Sequence, residues 1–159
     1  RVIGNIPYNI TSPIIFWLIE QLDYWDDAFV MTQKEVAQRL TAKVSTKAYG
    51  RLTVVVGAYL NVDYRFTIPP DVFIPKPKVY SKIVVFTPKN QLNSLEMQSI
   101  KKLFSYRRKK LGTAIKMMTS NQFYSQNSSK YNIDLSHRLD DLSPEDIVLI
   151  IKKFIINQD

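Results

Sequence analysis

Cysteine is absent from the chain, and histidine occurs once, as His137. Thiol nucleophiles, Cys/His zinc sites and metal–histidine clusters are thereby excluded. A Ser-His-Asp triad would have to draw on His137, which lies in a polar stretch with no nucleophile elbow near it. No apolar run nears the roughly 20 residues that cross a bilayer. No signal or transit segment opens the sequence. Glycine is scarce, four residues in 159, and no G-x-G pattern occurs. The lack of cysteine fits a reducing cytoplasm, which is the expected location.

What is present is apolar content and positive charge. Apolar residues make up 45% of the chain, enough for one core, or for one core and a small satellite domain. Lys and Arg number 22 against 14 acidic residues, a net charge of +8. Residues 1–88 hold 10 basic and 7 acidic side chains, and residues 89–159 hold 12 and 7. The excess is thus concentrated in the C-terminal part. A basic protein of this size suits a polyanionic partner, nucleic acid being the usual one; a merely solvated basic surface is the alternative.

Along the chain, Val2–Ile3 reads as the tail of a buried strand, followed by a loop from Gly4 to Thr11. Ser12 as N-cap with Pro13 at the first helical position predicts a helix to about Leu22, with Ile15, Leu18, Ile19 and Leu22 inward. Residues 28–32 suit a buried strand. Residues 33–43 suit a helix with Val36, Ala37 and Leu40 inward. Residues 52–60 are ambiguous: Thr53 to Val56 favours strand by propensity, and a helix fits the apolar content equally. Strands are expected at 62–68 and 82–87, separated by prolines that forbid regular structure over 73–78. This is an α/β pattern with a mixed sheet. Beyond a polar linker at 89–93, Asn93 to Glu96 resembles a capping box. Met97, Ile100, Phe104, Leu111, Ile115 and Met118 then fall at helical spacings. Residues 120–132 are polar and read as a loop or weak helix. Ser143-Pro144-Glu145-Asp146 opens a last helix with Ile147, Ile150, Ile151, Phe154 and Ile155 inward. The C-terminal part is expected to be all-helical.

The chemistry-bearing run is Asn5-Ile6-Pro7-Tyr8, at the end of the first strand. An exocyclic amine such as adenine N6 is a poor nucleophile, because its lone pair is delocalised into the ring. It gains from acceptors for its two N–H bonds and needs no strong base. Asn5 offers a side-chain oxygen, and the Ile6 or Pro7 carbonyl offers a second acceptor. Pro7 restricts the loop, and Tyr8 offers a face for an extruded base. An ordinary turn with a core tyrosine is the bland alternative for the tetrapeptide alone.

The longer run Asn5 to Pro13 resembles the catalytic loop of the KsgA/Dim-type ribosomal RNA adenine dimethyltransferases. Further blocks are similar in the same order: Gln33 to Leu40, Lys47-Ala48-Tyr49-Gly50-Arg51-Leu52-Thr53-Val54, Phe73-Ile74-Pro75-Lys76-Pro77-Lys78-Val79, Phe104 to Leu111, and Arg138 to Asp146. Tyr80 departs from the pattern, where the family usually carries Asp or Asn. The resemblance implies an α/β fold: the C-terminal half of a Rossmann-like methyltransferase sheet over residues 1–88, then a small all-α RNA-contacting domain over 89–159. It also implies a helix, not a strand, over 52–60.

By the same resemblance, Asn5 contacts the target N6 and the methionine end of the cofactor S-adenosyl-L-methionine. Pro7 supplies a carbonyl, and Tyr8 and Phe73 close on the base. Phe73 as core packing between strands is the other reading. Lys47, Arg51, Lys76, Lys78, Arg107, Arg108, Lys109 and Lys110 are implied RNA contacts, with ordinary solvated surface as their alternative. No metal and no membrane is implied, and a monomer is expected. The implied reaction is N6,N6-dimethylation of two adjacent adenines near the 3′ end of small-subunit (16S) rRNA, with the pre-30S particle as partner. A macrolide-resistance-type methyltransferase of large-subunit rRNA and a non-catalytic RNA-binding assembly factor are the rivals. The chain opens at Arg1 on what reads as the middle of a fold, so it is expected to be the C-terminal portion of a longer protein. The glycine-rich loop and the ribose-binding acid of the family match nothing in it. Weak or absent cofactor binding, and no activity, are expected of this stretch alone.

Overall fold

The structure is a computed structural model, and it describes residues 1–91, 93–120, 124 and 134–156. Most of the polar stretch 120–132 lies outside the described residues. The chain divides into two compact units, one of residues 1–42 and 56–92, the other of residues 43–55 and 93–159. The sequence reading places one boundary at 88/89; the fold carries the first unit on to residue 92 and groups 43–55 with 93–159.

The first unit is built on a four-stranded mixed sheet of β1 (Val2–Asn5), β2 (Ala28–Gln33), β3 (Leu60–Ile68) and β4 (Ser81–Pro88), in the order β1-β2-β4-β3. β1 and β2 are parallel, and the other pairs are antiparallel. A parallel pair needs a crossover, which helix α1 (Thr11–Glu20) supplies. β2 is paired on both sides, and its Ala28, Val30, Met31 and Thr32 are all buried. That burial explains its nearly unbroken apolar sequence. β3 lies at the edge, and over its first half the buried Leu60 and half-buried Val62 and Tyr64 alternate with exposed residues.

α1 begins one residue before the expected cap. A 3₁₀ turn at Tyr8–Ile10 runs straight into it, so Ser12 is its second residue and Pro13 its third. Pro13 still sits in the first turn, where a missing N–H costs nothing. Ile15, Leu18 and Ile19 are buried as the spacing predicts. At the far end the Trp25 indole N–H donates to the Leu18 carbonyl at 2.9 Å. Helix α2 (Lys34–Leu40) buries Ala37 and Leu40 and leaves Val36 half-buried.

The ambiguous segment is helix α3 (Arg51–Tyr59). Leu52, Thr53, Val54, Val55, Val56 and Tyr59 are all buried. A helix covered nearly all round tolerates β-branched residues that would not favour it in water.

In the second unit, α4 (Ser94–Ser105), α5 (Leu111–Lys116) and α6 (Pro144–Ile151) enclose Ile100, Leu103, Leu111, Ala114, Ile115, Ile147, Ile150 and Ile151. The Asn93 side chain accepts from the Leu95 and Glu96 amides, both at 3.1 Å. The buried Glu96 carboxylate lies 3.3 Å from Lys152 Nζ. The residues expected at helical spacings from Met97 to Met118 are divided between two helices. α4 ends at Ser105, residues 106–109 turn, and Lys110 bridges to Arg138 as an isolated antiparallel pair. Leu103 and Ala114 therefore take inward places, while Met97, Phe104 and Met118 are half-buried. Apart from that single bridge, the regular structure described in this part is helical, as expected.

Residues 43–55 are tied to the rest of this unit by polar contacts. Arg107 Nε donates to the Asp140 carboxylate at 2.7 and 2.9 Å, and Arg107 Nη2 donates to the Tyr49 carbonyl at 2.7 Å. The buried Tyr49 hydroxyl donates to the Leu142 carbonyl at 2.6 Å. Burial, reinforced by the nearby Asp140 charge, pushes the Tyr49 phenol above its ordinary pKa, so it remains a donor. Ser45 adopts a left-handed φ of 60°, which costs about 1 kcal/mol in a non-glycine residue. Its amide and hydroxyl donate to the Asp140 carbonyl at 2.7 Å and to the Asp141 carboxylate at 2.8 Å, offsetting that cost.

Ser143→Ala removes the acceptor for the Asp146 amide in a reciprocal cap and is expected to lower stability by about 1 kcal/mol, read from the denaturant midpoint. Arg107→Ala should cost about 1–2 kcal/mol, since it strips a carboxylate and a carbonyl of their donor. Arg108→Ala, an exposed neighbour, should cost less than about 0.5 kcal/mol. Equal losses from the two arginines would contradict this division of roles.

Candidate active site

β1 delivers its last residue, Asn5, opposite Met31 of β2. The chain then leaves the sheet. Pro7 has no amide to extend a ladder, and its carbonyl accepts the Ile10 N–H at 3.1 Å, closing the 3₁₀ turn. The Thr11 hydroxyl donates to the Tyr8 carbonyl at 3.2 Å. The tetrapeptide is thus held at one end by the β2 ladder and at the other by the Ile10 amide and the Thr11 hydroxyl. Asn5 is exposed, and its amide has no hydrogen-bond partner among the described residues.

The Phe73 loop enters the same place. Pro69-Pro70 stops β3, and the Phe73 amide donates back to the Pro70 carbonyl at 3.2 Å. The Ile74–Pro75 peptide is cis. At the loop's end the Lys34 amide donates to the Tyr80 carbonyl at 2.9 Å, and Lys34 Nζ stands 5.7 Å from the Tyr80 ring centroid.

Between the two loops lies a cavity of about 320 Å³, lined by Asn5, Ile6, Pro7 and Tyr8 from the first and by Phe73, Pro75 and Pro77 from the second, with Met31 beneath. Its size is in the range of small-ligand sites, roughly 300–1,000 Å³. Asn5, Pro7 and Tyr8, singled out as one run, and Phe73, from a distant block, all line it. Phe73 is half-buried on the cavity wall and is not enclosed between strands. No carboxylate, histidine, lysine or arginine lines the cavity among the described residues. The arrangement offers amide and carbonyl acceptors and two aromatic faces, which suits a flat ligand bearing N–H donors. It does not suit acid–base work.

The predicted basic contacts are distributed over both units. Lys76 forms an exposed ion pair with Asp71, and Lys78 is exposed. Lys47 and Arg51 are exposed in the second unit. Arg108, Lys109 and Lys110 are exposed in the turn after α4, whereas Arg107 is bound internally. Arg107 and Arg108 line a second cavity of about 510 Å³ with Phe104, Asp140 and Arg138. Arg138 opens the last of the family-like blocks, but its place beside Arg107 and Arg108 is visible only in the fold. Ser81 was missed: its hydroxyl meets the Tyr8 hydroxyl at 2.5 Å. Among the described residues no group of three His, Asp or Glu could hold a metal, and no helix is long and apolar enough to cross a membrane.

Comparison with known proteins gives a consistent picture. A sequence profile of the family described as Ribosomal RNA adenine dimethylase matches residues 1–155. Similar curated proteins include the Ribosomal RNA small subunit methyltransferase A of Legionella pneumophila (strain Corby), 42% identical over 126 residues. That match covers 76% of this chain and 49% of the relative. The protein of the same name from Coxiella burnetii (strain Dugway 5J108-111) is 40% identical over 124 residues, 74% of this chain and 48% of the relative. The chain therefore spans about half the length of the curated relatives it matches. Among solved structures, a dimethyladenosine transferase from Plasmodium falciparum superposes with a TM-score of 0.74 at 27% identity, covering 96% of this chain and 67% of that one. The 23S rRNA methyltransferase ErmE gives 0.66 at 19% identity, covering 96% and 64%, which shows a shared fold only. With the motif loop, the facing aromatic loop and these matches in agreement, the chain belongs to the ribosomal RNA adenine dimethylase family.

Proposed function

We propose that the full-length protein methylates adenine N6 in ribosomal RNA, dimethylating two adjacent adenines near the 3′ end of the small-subunit rRNA. The observation that carries this reading is the unpartnered Asn5 amide at a cavity walled by Tyr8 and Phe73. The names of the curated relatives support the small subunit as substrate.

An adenine leaving its stack loses stacking and pairing energy of a few kcal/mol, and an aromatic slot offsets part of it. Tyr8 and Phe73 are the two faces of that slot. With the ring held, the Asn5 side-chain oxygen accepts one N6 hydrogen. The Pro7 carbonyl, whose first lone pair takes the Ile10 N–H, accepts the other. Holding both hydrogens turns the nitrogen lone pair out of conjugation with the ring. The contribution of these residues is positioning and preorganised dipoles.

S-adenosyl-L-methionine is the donor implied by the family, and it supplies an electrophilic methyl group. The cavity has no carboxylate to hold a ribose diol and no glycine turn for a close backbone approach. On this reading the cavity lining takes the acceptor base, and Asn5 is the lining residue that also meets the donor. The basic side chains Lys47, Arg51, Lys76, Lys78, Arg108, Lys109 and Lys110 meet RNA phosphates, while Arg107 is engaged by Asp140 and the Tyr49 carbonyl. Such contacts add affinity and salt dependence rather than sequence readout. The assembling small subunit is the partner, and the protein acts on it as a cytoplasmic monomer.

In the full-length enzyme, Asn5→Ala should reduce methyl uptake by small subunits about 10²-fold or more, with unchanged circular dichroism, and large subunits should take up none. Full activity of this variant, or preferential methylation of large subunits, would refute the reading.

A further inference from the structure

The Tyr8 hydroxyl and the Ser81 hydroxyl meet at 2.5 Å across 73 residues of sequence. Ser81 is fully buried. It opens β4 and is paired in register with Gln33 of β2 on one side and Ile68 of β3 on the other. Its backbone is therefore paired on both sides, at the end of the two ladders. Tyr8, by contrast, sits on the loop that carries the candidate site and is one of the residues lining the cavity.

A buried hydroxyl without a partner is costly, so each of these two groups holds the other. The geometry of a phenol adds a further consequence. Its O–H is conjugated with the ring, and its strongest hydrogen bonds lie near the ring plane. A partner fixed at the para position therefore restrains rotation of the ring about its long axis as well as its tilt. The opposite end of the residue is fixed by the Thr11 hydroxyl on its carbonyl and by the Pro7–Ile10 turn.

We propose that Ser81 is a positioning residue that sets the plane of the Tyr8 ring and thereby the plane of the bound base. This rests on the reading of Tyr8 as a stacking face. Ser81 also follows directly on the loop carrying Phe73, so one short stretch, residues 73–81, supplies one wall of the cavity and the anchor of the other. A base stacked on a ring free to rock would present N6 to its acceptors for only part of the time. The loss falls on turnover, because affinity for a large RNA comes chiefly from its phosphates.

The test uses the full-length enzyme, small ribosomal subunits and S-adenosyl-L-methionine, with each variant checked by circular dichroism. Ser81→Ala and Tyr8→Phe should each lower kcat by about three- to ten-fold, with KM for the subunit unchanged. The double variant should be no slower than either single one, because both remove the same bond. Ser81→Thr, which keeps the hydroxyl, should restore kcat. A Ser81→Ala enzyme within two-fold of wild-type kcat, or losses that multiply in the double variant, would overturn the assignment while leaving the stacking role of Tyr8 standing. Full activity of Tyr8→Ala would overturn both.

Discussion

The candidate site depends on where the pairing of β1 with β2 stops. The ladder runs from Val2 opposite Ala28 to Asn5 opposite Met31. Two residues later Pro7 offers no amide to continue it. The chain therefore turns away with Asn5 as the last residue on the sheet, and the 3₁₀ turn at Tyr8–Ile10 converts directly into α1. Had the strand run on, Tyr8 would alternate into the sheet's face and could not form a wall beside it. The helix that follows buries Thr11, Ile15, Leu18 and Ile19, so the loop is clamped between a sheet and a packed helix. A flat cavity with an aromatic wall follows from these constraints and needs no strained backbone among its lining residues.

The chemistry of the cavity is consistent with its lack of charge. An aromatic amine whose proton becomes acidic only after alkylation gains little from a base held nearby. A carboxylate close by would also add desolvation cost without a task. Dipoles that are already in place cost nothing to reorganise. The Pro7 carbonyl is an instance: the hydrogen bond it accepts from Ile10 fixes its direction and leaves one lone pair for a ligand.

Much of this architecture was legible in the sequence, and the exceptions share a cause. The strands, the two terminal helices and the Asn93 and Ser143 caps follow from periodicity and end signals. The Asn5 and Phe73 loops were recognisable from their prolines and from family resemblance. The nature of α3 was not legible from propensity, because Thr53 to Val56 is decided by burial on all sides, a tertiary property. Ser12 was misplaced as a cap because the preceding 3₁₀ turn had no local signal. Ser81 was invisible because its significance comes from a partner 73 residues away, Tyr8, and the block that opens with Arg138 gave no sign of the bridge to Lys110, 28 residues away. A serine after a strand-breaking loop looks like any other until the tyrosine that meets it is placed.

The basic run Arg107 to Lys110 shows why counting charge along a sequence overstates what a polyanion can meet. Arg107 spends its guanidinium on Asp140 and on the Tyr49 carbonyl, with its side chain 40% exposed and that of Asp140 29%. Moving it to a phosphate would abandon two acceptors that no other described residue serves in its place. The Lys76–Asp71 pair differs, since both side chains are mostly exposed, at 64% and 72%. Such a pair is worth little in water, and a lysine can exchange the carboxylate for a phosphate at small cost, releasing counterions as it does so. On the proposed reading, the charge available to RNA is therefore set by how each cation is already partnered. That sorts Lys76 with the free surface lysines and Arg107 with the core, although both look alike in sequence.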